Sequence, residues 1–163
     1  MGFKETAEAT PNLVGKWSAG LGALEAKDKP HVKPEDTSTG RLRGSVYIDK
    51  ALLAIFPQAN RWDYAIGYQH DNRSTEFIYW LETHSGNDSQ ISVMLRKLEW
   101  LRTWHKGDGK ELAKFDKLFV WAPSGATSFT KGATQVRILA DKGIFYAGSV
   151  FKIPINHAIA KAE

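Results

Sequence analysis

The stretch WDYAIGYQHDNRSTEFIYWLETH, residues 62–84, decides the fold. Its two arms, WDYAIGY at 62–68 and EFIYWLETH at 76–84, are rich in the aromatic and branched apolar residues that favour strands. The polar run HDNRS at 70–74 between them is typical of a hairpin loop. The stretch therefore predicts two antiparallel strands joined by a short turn.

The register of this hairpin gives its two faces different compositions. With the turn centred between Asn72 and Arg73, Tyr68 lies opposite Phe77, and opposed residues point to the same side of a sheet. One face is almost entirely apolar and is expected to pack against a core: Trp62, Tyr64, Ile66, Tyr68, Phe77, Tyr79, Leu81 and Thr83. The other face carries small residues, with polar groups clustered at one end: Asp63, Ala65, Gly67, Ile78, Trp80, Glu82 and His84.

Helices and strands alternate along the rest of the chain. This order predicts a single α/β (or α+β) domain whose mixed sheet of about four to five strands is flanked by helices. The predicted elements are a helix ending before Pro57, a long helix over 88–105, a strand over 117–121, a helix over 134–141 and a last strand or bent strand pair over 144–153.

Residues 1–40 differ in composition from residues 41–163. They contain few branched apolar residues and many Lys, Glu, Ala, Pro and Thr. We therefore expect an N-terminal extension with a short helix over 12–26 and an exposed connector over 27–40, followed by the α/β domain over 41–163.

Composition excludes several classes of protein. The absence of cysteine excludes disulfides, zinc–thiolate sites and cysteine nucleophiles. No apolar run approaches the roughly 18 residues that a membrane span needs, so we expect no membrane partner and a cytoplasmic location. The net charge of +4 permits nucleic-acid binding, and it also fits plain solubility.

The polar end of the hairpin is the best candidate for a functional site. In the predicted register Asp63 faces Glu82, and β-carbons about 5 Å apart make two carboxylates repel unless a positive charge lies between them. A divalent cation is one solution, since oxygen ligands suit Mg²⁺ or Mn²⁺ and the His84 imidazole favours Mn²⁺ or another transition metal. Pairing with Arg61 or Lys97 in a purely structural arrangement is the alternative.

This arrangement resembles the PD-(D/E)XK nuclease superfamily over about 45 residues. Members carry an Asp at the start of one hairpin strand and Glu-X-Lys at the end of the next, followed by a long helix. Asp63 stands at the Asp position, and Glu82 and His84 stand at the Glu and Lys positions. The family usually has a further strand before the Asp strand, and none is predicted here; Asp49 matches an acidic residue that sometimes joins from the first helix.

The resemblance implies a restriction-endonuclease-like fold and metal-dependent cleavage of nucleic acid. Asp63 and Glu82 would hold Mg²⁺ or Mn²⁺ and polarise a phosphodiester. His84 replaces the motif Lys and, as a neutral imidazole, would act as general base. Lys97 or Arg96 on the following helix would steady the phosphate charge.

Other interpretations remain open at this level. One interpretation is that Trp100 and Arg96 form a surface that stacks on nucleic-acid bases. The other is that Trp100 and Trp104, one helical turn apart, pack in the core or at a subunit contact. The chain as a whole is either a nuclease-like domain or a non-enzymatic protein-interaction domain that forms a homo-oligomer. A small-ligand pocket around Trp80 and Gly67 is a third possibility.

Overall fold

A mixed six-stranded sheet organises the protein in the computed structural model, which describes residues 1–38, 40–85, 90–125 and 133–157. The predicted α/β class is confirmed, although the sheet has more strands than expected. Two further short strands, β2 and β8, pair in parallel beside it. The strands are β1 (Trp17–Ser18), β2 (Val32–Pro34), β3 (Leu42–Tyr47), β4 (Tyr64–Tyr68), β5 (Phe77–Glu82), β6 (Asp116–Trp121), β7 (Ile144–Tyr146) and β8 (Phe151–Ile153).

The strand order in the large sheet is β1-β3-β4-β5-β6-β7. Neighbours from β1 to β5 are antiparallel, whereas β5–β6 and β6–β7 are parallel. Parallel neighbours need crossover connections, and helices supply them. The helices in the described residues are α1 (Phe3–Glu8), α2 (Ile48–Leu52), α3 (Ile91–Trp104) and α4 (Thr134–Lys142).

The central hairpin has the predicted register. Tyr68 pairs with Phe77, Ile66 with Tyr79, and Tyr64 with Leu81. A slip by one residue would move every side chain of one strand to the opposite face of the sheet and so to the wrong core cluster. The register therefore carries Asp63 and Glu82 to the same end of the sheet, as expected.

Both faces of the hairpin are buried, not only the apolar one. Ile78 and Trp80 belong to one core cluster, and Phe77, Tyr79 and Leu81 belong to the other. On the side where small residues seemed to leave room, the ring of Phe3 from α1 covers Gly67 so closely that an added Cβ would lie 2.6 Å from it. The space proposed for a small ligand beside Gly67 is thus filled by the protein itself.

Helices α3 and α4 match their predictions closely. The apolar stripe of α3 is buried at Met94, Leu98, Leu101 and Trp104, as its helical spacing indicates. The predicted start at Asp88 lies outside the described residues. Helix α4 ends at Lys142, and Gly143 after it adopts the left-handed conformation (φ 105°) common just past a helix.

The first 40 residues contribute elements to both sheets. Strand β1 pairs with β3, and β2 pairs with β8. The helix expected over 12–26 is absent, because Asn12 (φ 70°), Gly15 (φ 80°) and Gly20 (φ 56°) adopt left-handed conformations that interrupt a right-handed helix. A short helix does exist, but it is α1, and it begins at Phe3.

The segment expected to be one helix ending before Pro57 is instead a strand followed by a short helix. Strand β3 pairs along its length with β4, and α2 begins directly after Tyr47. Sheet pairing thus overrides the apolar spacing of this segment. Strand β3 therefore precedes the strand that follows Asp63, at a place where no strand was predicted. No helix in the described ranges is long and apolar enough to cross a membrane.

Candidate active site

Two carboxylates meet at the end of the central hairpin. Asp63 immediately precedes β4, and Glu82 is the last residue of β5. Oδ2 of Asp63 accepts hydrogen bonds from the backbone N–H (3.0 Å) and the hydroxyl (3.1 Å) of Thr83. Oε1 of Glu82 accepts from the backbone N–H of Asp63 at 3.1 Å. Each acidic side chain is therefore fixed by the backbone of the opposite strand.

Lys97 of α3 adds a positive charge to this pair. Its ammonium lies 2.9 Å from Oε2 of Glu82 and donates to the backbone carbonyl of Arg61 at 3.0 Å. Glu82 has no solvent exposure, and the Lys97 side chain is 13% exposed. Buried charges of opposite sign at this distance attract strongly, so Lys97 joins α3 to the polar end of the hairpin.

Burial and neighbouring charges shift the pKa values of both partners. Burial, and then the charge of Asp63, raise the pKa of the Glu82 carboxyl well above its ordinary value, although Lys97 opposes this. Burial lowers the pKa of Lys97, but the charges of Glu82 and Asp63 outweigh it, and the net pKa is raised. Lys97 therefore stays protonated, and a further cation near Glu82 would favour its ionised form.

A second ion pair lies beside these residues. Nε of Arg61 is 2.9 Å from Oδ1 of Asp49 in α2, and the backbone N–H groups of Ile48 and Asp49 donate to the carbonyl of Asp63 at 2.8 and 3.2 Å. Asp49 is close enough for its charge to contribute to the raised pKa of Lys97. Arg61 thus pairs with Asp49 and not with Asp63 or Glu82.

His84 is not joined to the carboxylates. Nε2 of its imidazole lies 2.6 Å from Oε1 of Gln90, and its carbonyl accepts from the Trp121 indole at 2.7 Å. In the described part of the chain, no hydrogen bond or ion pair connects His84 with Asp63 or Glu82. The positive group that reaches the carboxylates comes from α3.

The two residues predicted to bind nucleic acid have different surroundings. Arg96 is exposed on α3. Trp100 is partly buried, stacked on Trp104 with ring centroids 6.2 Å apart, and Phe56 meets its edge at 5.9 Å. The packing interpretation of Trp100 accounts for these contacts, and its role in stacking on bases stays a prediction.

An N-terminal segment beside the site went unrecognised in the sequence. Asp28 is 1% exposed and accepts a 2.5 Å hydrogen bond from the Tyr64 hydroxyl, although it lies in a stretch expected to be an exposed connector. Burial is the main cause that raises the pKa of Tyr47 to about 12, and the charge of Asp63 adds to this increase. The charge of Asp63 also contributes to the raised pKa of Lys27. Nothing in the local pattern KDKPH signals this burial, because it depends on a contact with β4.

The carboxylate pair offers only part of a cation site. Among the described residues no group of three or more His, Cys, Asp or Glu side chains lies together in a way that would hold a metal ion. Mg²⁺ is nevertheless often held by one or two carboxylates, with waters and substrate phosphates completing its shell. Asp63 and Glu82 supply two carboxylates, and the ammonium of Lys97 already lies 2.9 Å from one oxygen of Glu82.

No family model, curated protein or solved structure matches this chain. The interpretation of the site therefore depends on its own residues and their geometry.

Proposed function

We propose that this protein is a nuclease-like domain that acts on nucleic acid with a divalent cation. The observation that carries the proposal is the convergence of Asp63 and Glu82 with the ammonium of Lys97, 2.9 Å from Glu82, at one end of the sheet. Strand β3, hairpin β4–β5 and helix α3 follow in the order in which the PD-(D/E)XK superfamily carries its site.

The net charge of the site favours this function. Asp49 and Arg61 neutralise each other, so Asp63, Glu82 and Lys97 together carry one excess negative charge when ionised. A bound divalent cation would turn that excess into a positive charge, which attracts a phosphodiester. The neighbouring carboxylates thus suit a site that binds a cation first and a phosphate second.

Each residue has a distinct role in the proposal. Asp63 and Glu82 would hold Mg²⁺ or Mn²⁺, which when bound supplies Lewis-acid polarisation of the phosphodiester. Lys97 favours the ionised form of Glu82 and would offer an ammonium to the phosphate charge. Because His84 contacts Gln90 instead of the carboxylates, Lys97 takes the place that the motif Lys has in the nuclease pattern.

The rival function, a non-enzymatic protein-interaction domain, has less support. Large exposed apolar side chains in the described residues come from several parts of the chain, and only Leu53 and Ile55 are near neighbours in sequence: Met1, Val14, Leu53, Ile55, Ile138, Phe145 and Val150. Scattered exposed residues of this kind are ordinary in monomeric proteins. They do not outline the broad apolar patch that a stable oligomer interface needs.

A cleavage assay tests the proposal directly. Labelled single- and double-stranded DNA and RNA are incubated with the wild-type protein in Mg²⁺, Mn²⁺ or EDTA. We expect cleavage that requires metal and falls at least about a hundredfold in Asp63→Asn, Glu82→Gln and Lys97→Met.

The exposed ion pair of Glu111 and Lys114, 2.8 Å apart, supplies matched controls. Glu111→Gln and Lys114→Met make the same chemical changes outside the site and should keep full activity. Circular dichroism verifies that every variant is folded. Cleavage that survives in folded site variants, or the absence of metal-dependent cleavage on all four substrates, contradicts the proposal.

A further inference from the structure

A basic groove runs between α3 and α4, apart from the carboxylates. It encloses about 510 Å³, and its described lining contains four cationic side chains, Arg96, Arg102, Lys106 and Lys142, against one acidic side chain, Glu99. All four cationic residues are exposed. Cations gathered in a concave surface raise the local concentration of anions more than scattered ones do.

Three of the four cations are available to a ligand. Among the described residues, Arg96, Lys106 and Lys142 form no ion pair. Arg102 has a structural role, because its Nη2 donates to the backbone carbonyl of Lys142 at 3.1 Å and its guanidinium lies over the ring of Phe119. Arg102 therefore holds the two walls of the groove together.

We infer that this α3–α4 groove binds the phosphate backbone of double-stranded nucleic acid. The inference rests on the proposed function and names the form of its substrate. Phosphate contacts from lysine and arginine supply most of the sequence-independent affinity for nucleic acid. Arg96 lines the groove, and the next residue of α3, Lys97, pairs with Glu82. Helix α3 therefore contributes to both the groove and the carboxylate site.

The composition of the groove favours a duplex over a single strand. Proteins that bind single strands without sequence preference combine basic grooves with aromatic side chains on which bases stack. Among the residues that the structure describes, no aromatic side chain lines this groove; the other lining residues are Leu95, Leu98 and Thr103. Trp100 packs against Phe56 and Trp104 instead. A duplex, whose bases are already stacked, needs only the charge contacts.

The experiment measures binding separately from cleavage. Fluorescence anisotropy with labelled single-stranded and duplex DNA and RNA is recorded in EDTA over a series of salt concentrations, and sedimentation with phosphatidylserine vesicles measures binding to anionic lipid. The triple variant Arg96→Ala/Lys106→Ala/Lys142→Ala is compared with Lys16→Ala/Lys29→Ala/Lys33→Ala, which removes the same charge from exposed residues outside the groove.

We expect the groove variant to bind at least about tenfold more weakly than wild type, with a salt slope smaller by about 3. The control variant should bind as wild type does. Equal loss in both variants, tighter wild-type binding to the single strand, or binding only to anionic lipid vesicles overturns the inference.

The outcomes for the groove and for the carboxylate site can be told apart. A wild-type protein that cuts nucleic acid, but whose binding is unchanged by the groove substitutions, contradicts the groove inference alone. A protein that binds duplexes through the groove, but never cuts them, supports the groove inference and contradicts the nuclease proposal. Both assays use the full chain.

Discussion

The ammonium of Lys97 lies 2.9 Å from Oε2 of Glu82, and this carboxylate is shielded from solvent completely. Removing one partner of a buried ion pair leaves the other charge uncompensated, which typically costs about 3–5 kcal/mol. We therefore expect Lys97→Met to lower the free energy of unfolding by about that amount at neutral pH, measured by urea denaturation. Protonation of Glu82 should reduce the loss at lower pH, since its pKa is already raised.

The double variant Lys97→Met/Glu82→Gln is the control for this measurement. With both charges removed, a large part of the lost stability should return. Lys114→Met, which breaks an exposed pair with Glu111, should change stability little. If Lys97→Met were as stable as wild type, Glu82 could not be a buried charge that depends on Lys97.

Divalent cations should stabilise the folded protein through Asp63 and Glu82. A ligand that binds only the folded state stabilises it in proportion to the logarithm of its concentration, by about 2.7 kcal/mol at a hundredfold excess over Kd. We expect Mn²⁺ or Mg²⁺ to raise the melting temperature of the wild type, and Asp63→Ala and Glu82→Ala to abolish the increase.

Asp108→Asn changes an exposed carboxylate elsewhere and should keep the full increase. This thermal measurement does not depend on catalysis, so it tests the metal site even if no substrate has been found. The same shift in wild type and in both site variants would place the cation somewhere else on the protein.

Close contact between Gly67 and Phe3 makes α1 part of the folded unit. An added Cβ on Gly67 would lie 2.6 Å from the Phe3 ring, and Phe3 is fully buried. Gly67→Ala should therefore displace α1 and cost about 1–3 kcal/mol in urea unfolding. Phe3→Ala should cost about 3–5 kcal/mol by leaving a cavity.

The combination Gly67→Ala/Phe3→Ala tests whether the two positions act on each other. Its cost should be less than the sum of the two single variants, because the smaller side chain makes room for the new methyl group. Strictly additive costs would mean that α1 does not press on Gly67 in solution.

The sequence predicted those parts of the site that depend on local periodicity. Placing the turn centre between Asn72 and Arg73 predicted the observed register, which brings Asp63 and Glu82 together. The apolar stripe of α3 placed Lys97 on the correct helix, and Lys97 was among the groups expected to pair with the carboxylates. Periodicity alone does not show which charge occupies the space between them.

Contacts between segments that are distant in the chain could not be predicted from local sequence patterns. His84 matched the position of a motif Lys, but its side chain contacts Gln90, so its place in the pattern did not determine its partner. The burial of Asp28 depends on the Tyr64 hydroxyl, 36 residues away in the chain. Phe3 fills the space above Gly67. No local sequence pattern predicts this contact, because the two residues lie far apart in the chain.

Two buried histidines should make stability depend on pH. His70 is 1% exposed and His105 is 9% exposed, and burial lowers the pKa of each to about 4. The unfolded chain, with histidine pKa values near 6.5, takes up protons first as the pH falls. The stability that each neutral histidine provides is therefore complete above about pH 6.5 and is lost as the pH falls toward 4.

The variant His105→Gln isolates one of these contributions. The His105 imidazole packs against Trp80 with ring centroids 4.7 Å apart, and the charge of Lys117 also disfavours its protonation. Between pH 7 and pH 5, urea unfolding should show wild type losing about 1–2 kcal/mol more than this variant. Glu82, whose raised pKa stabilises the fold as the pH falls, acts equally in both proteins and cancels in the comparison. Parallel pH profiles for the two proteins would contradict a neutral, buried His105.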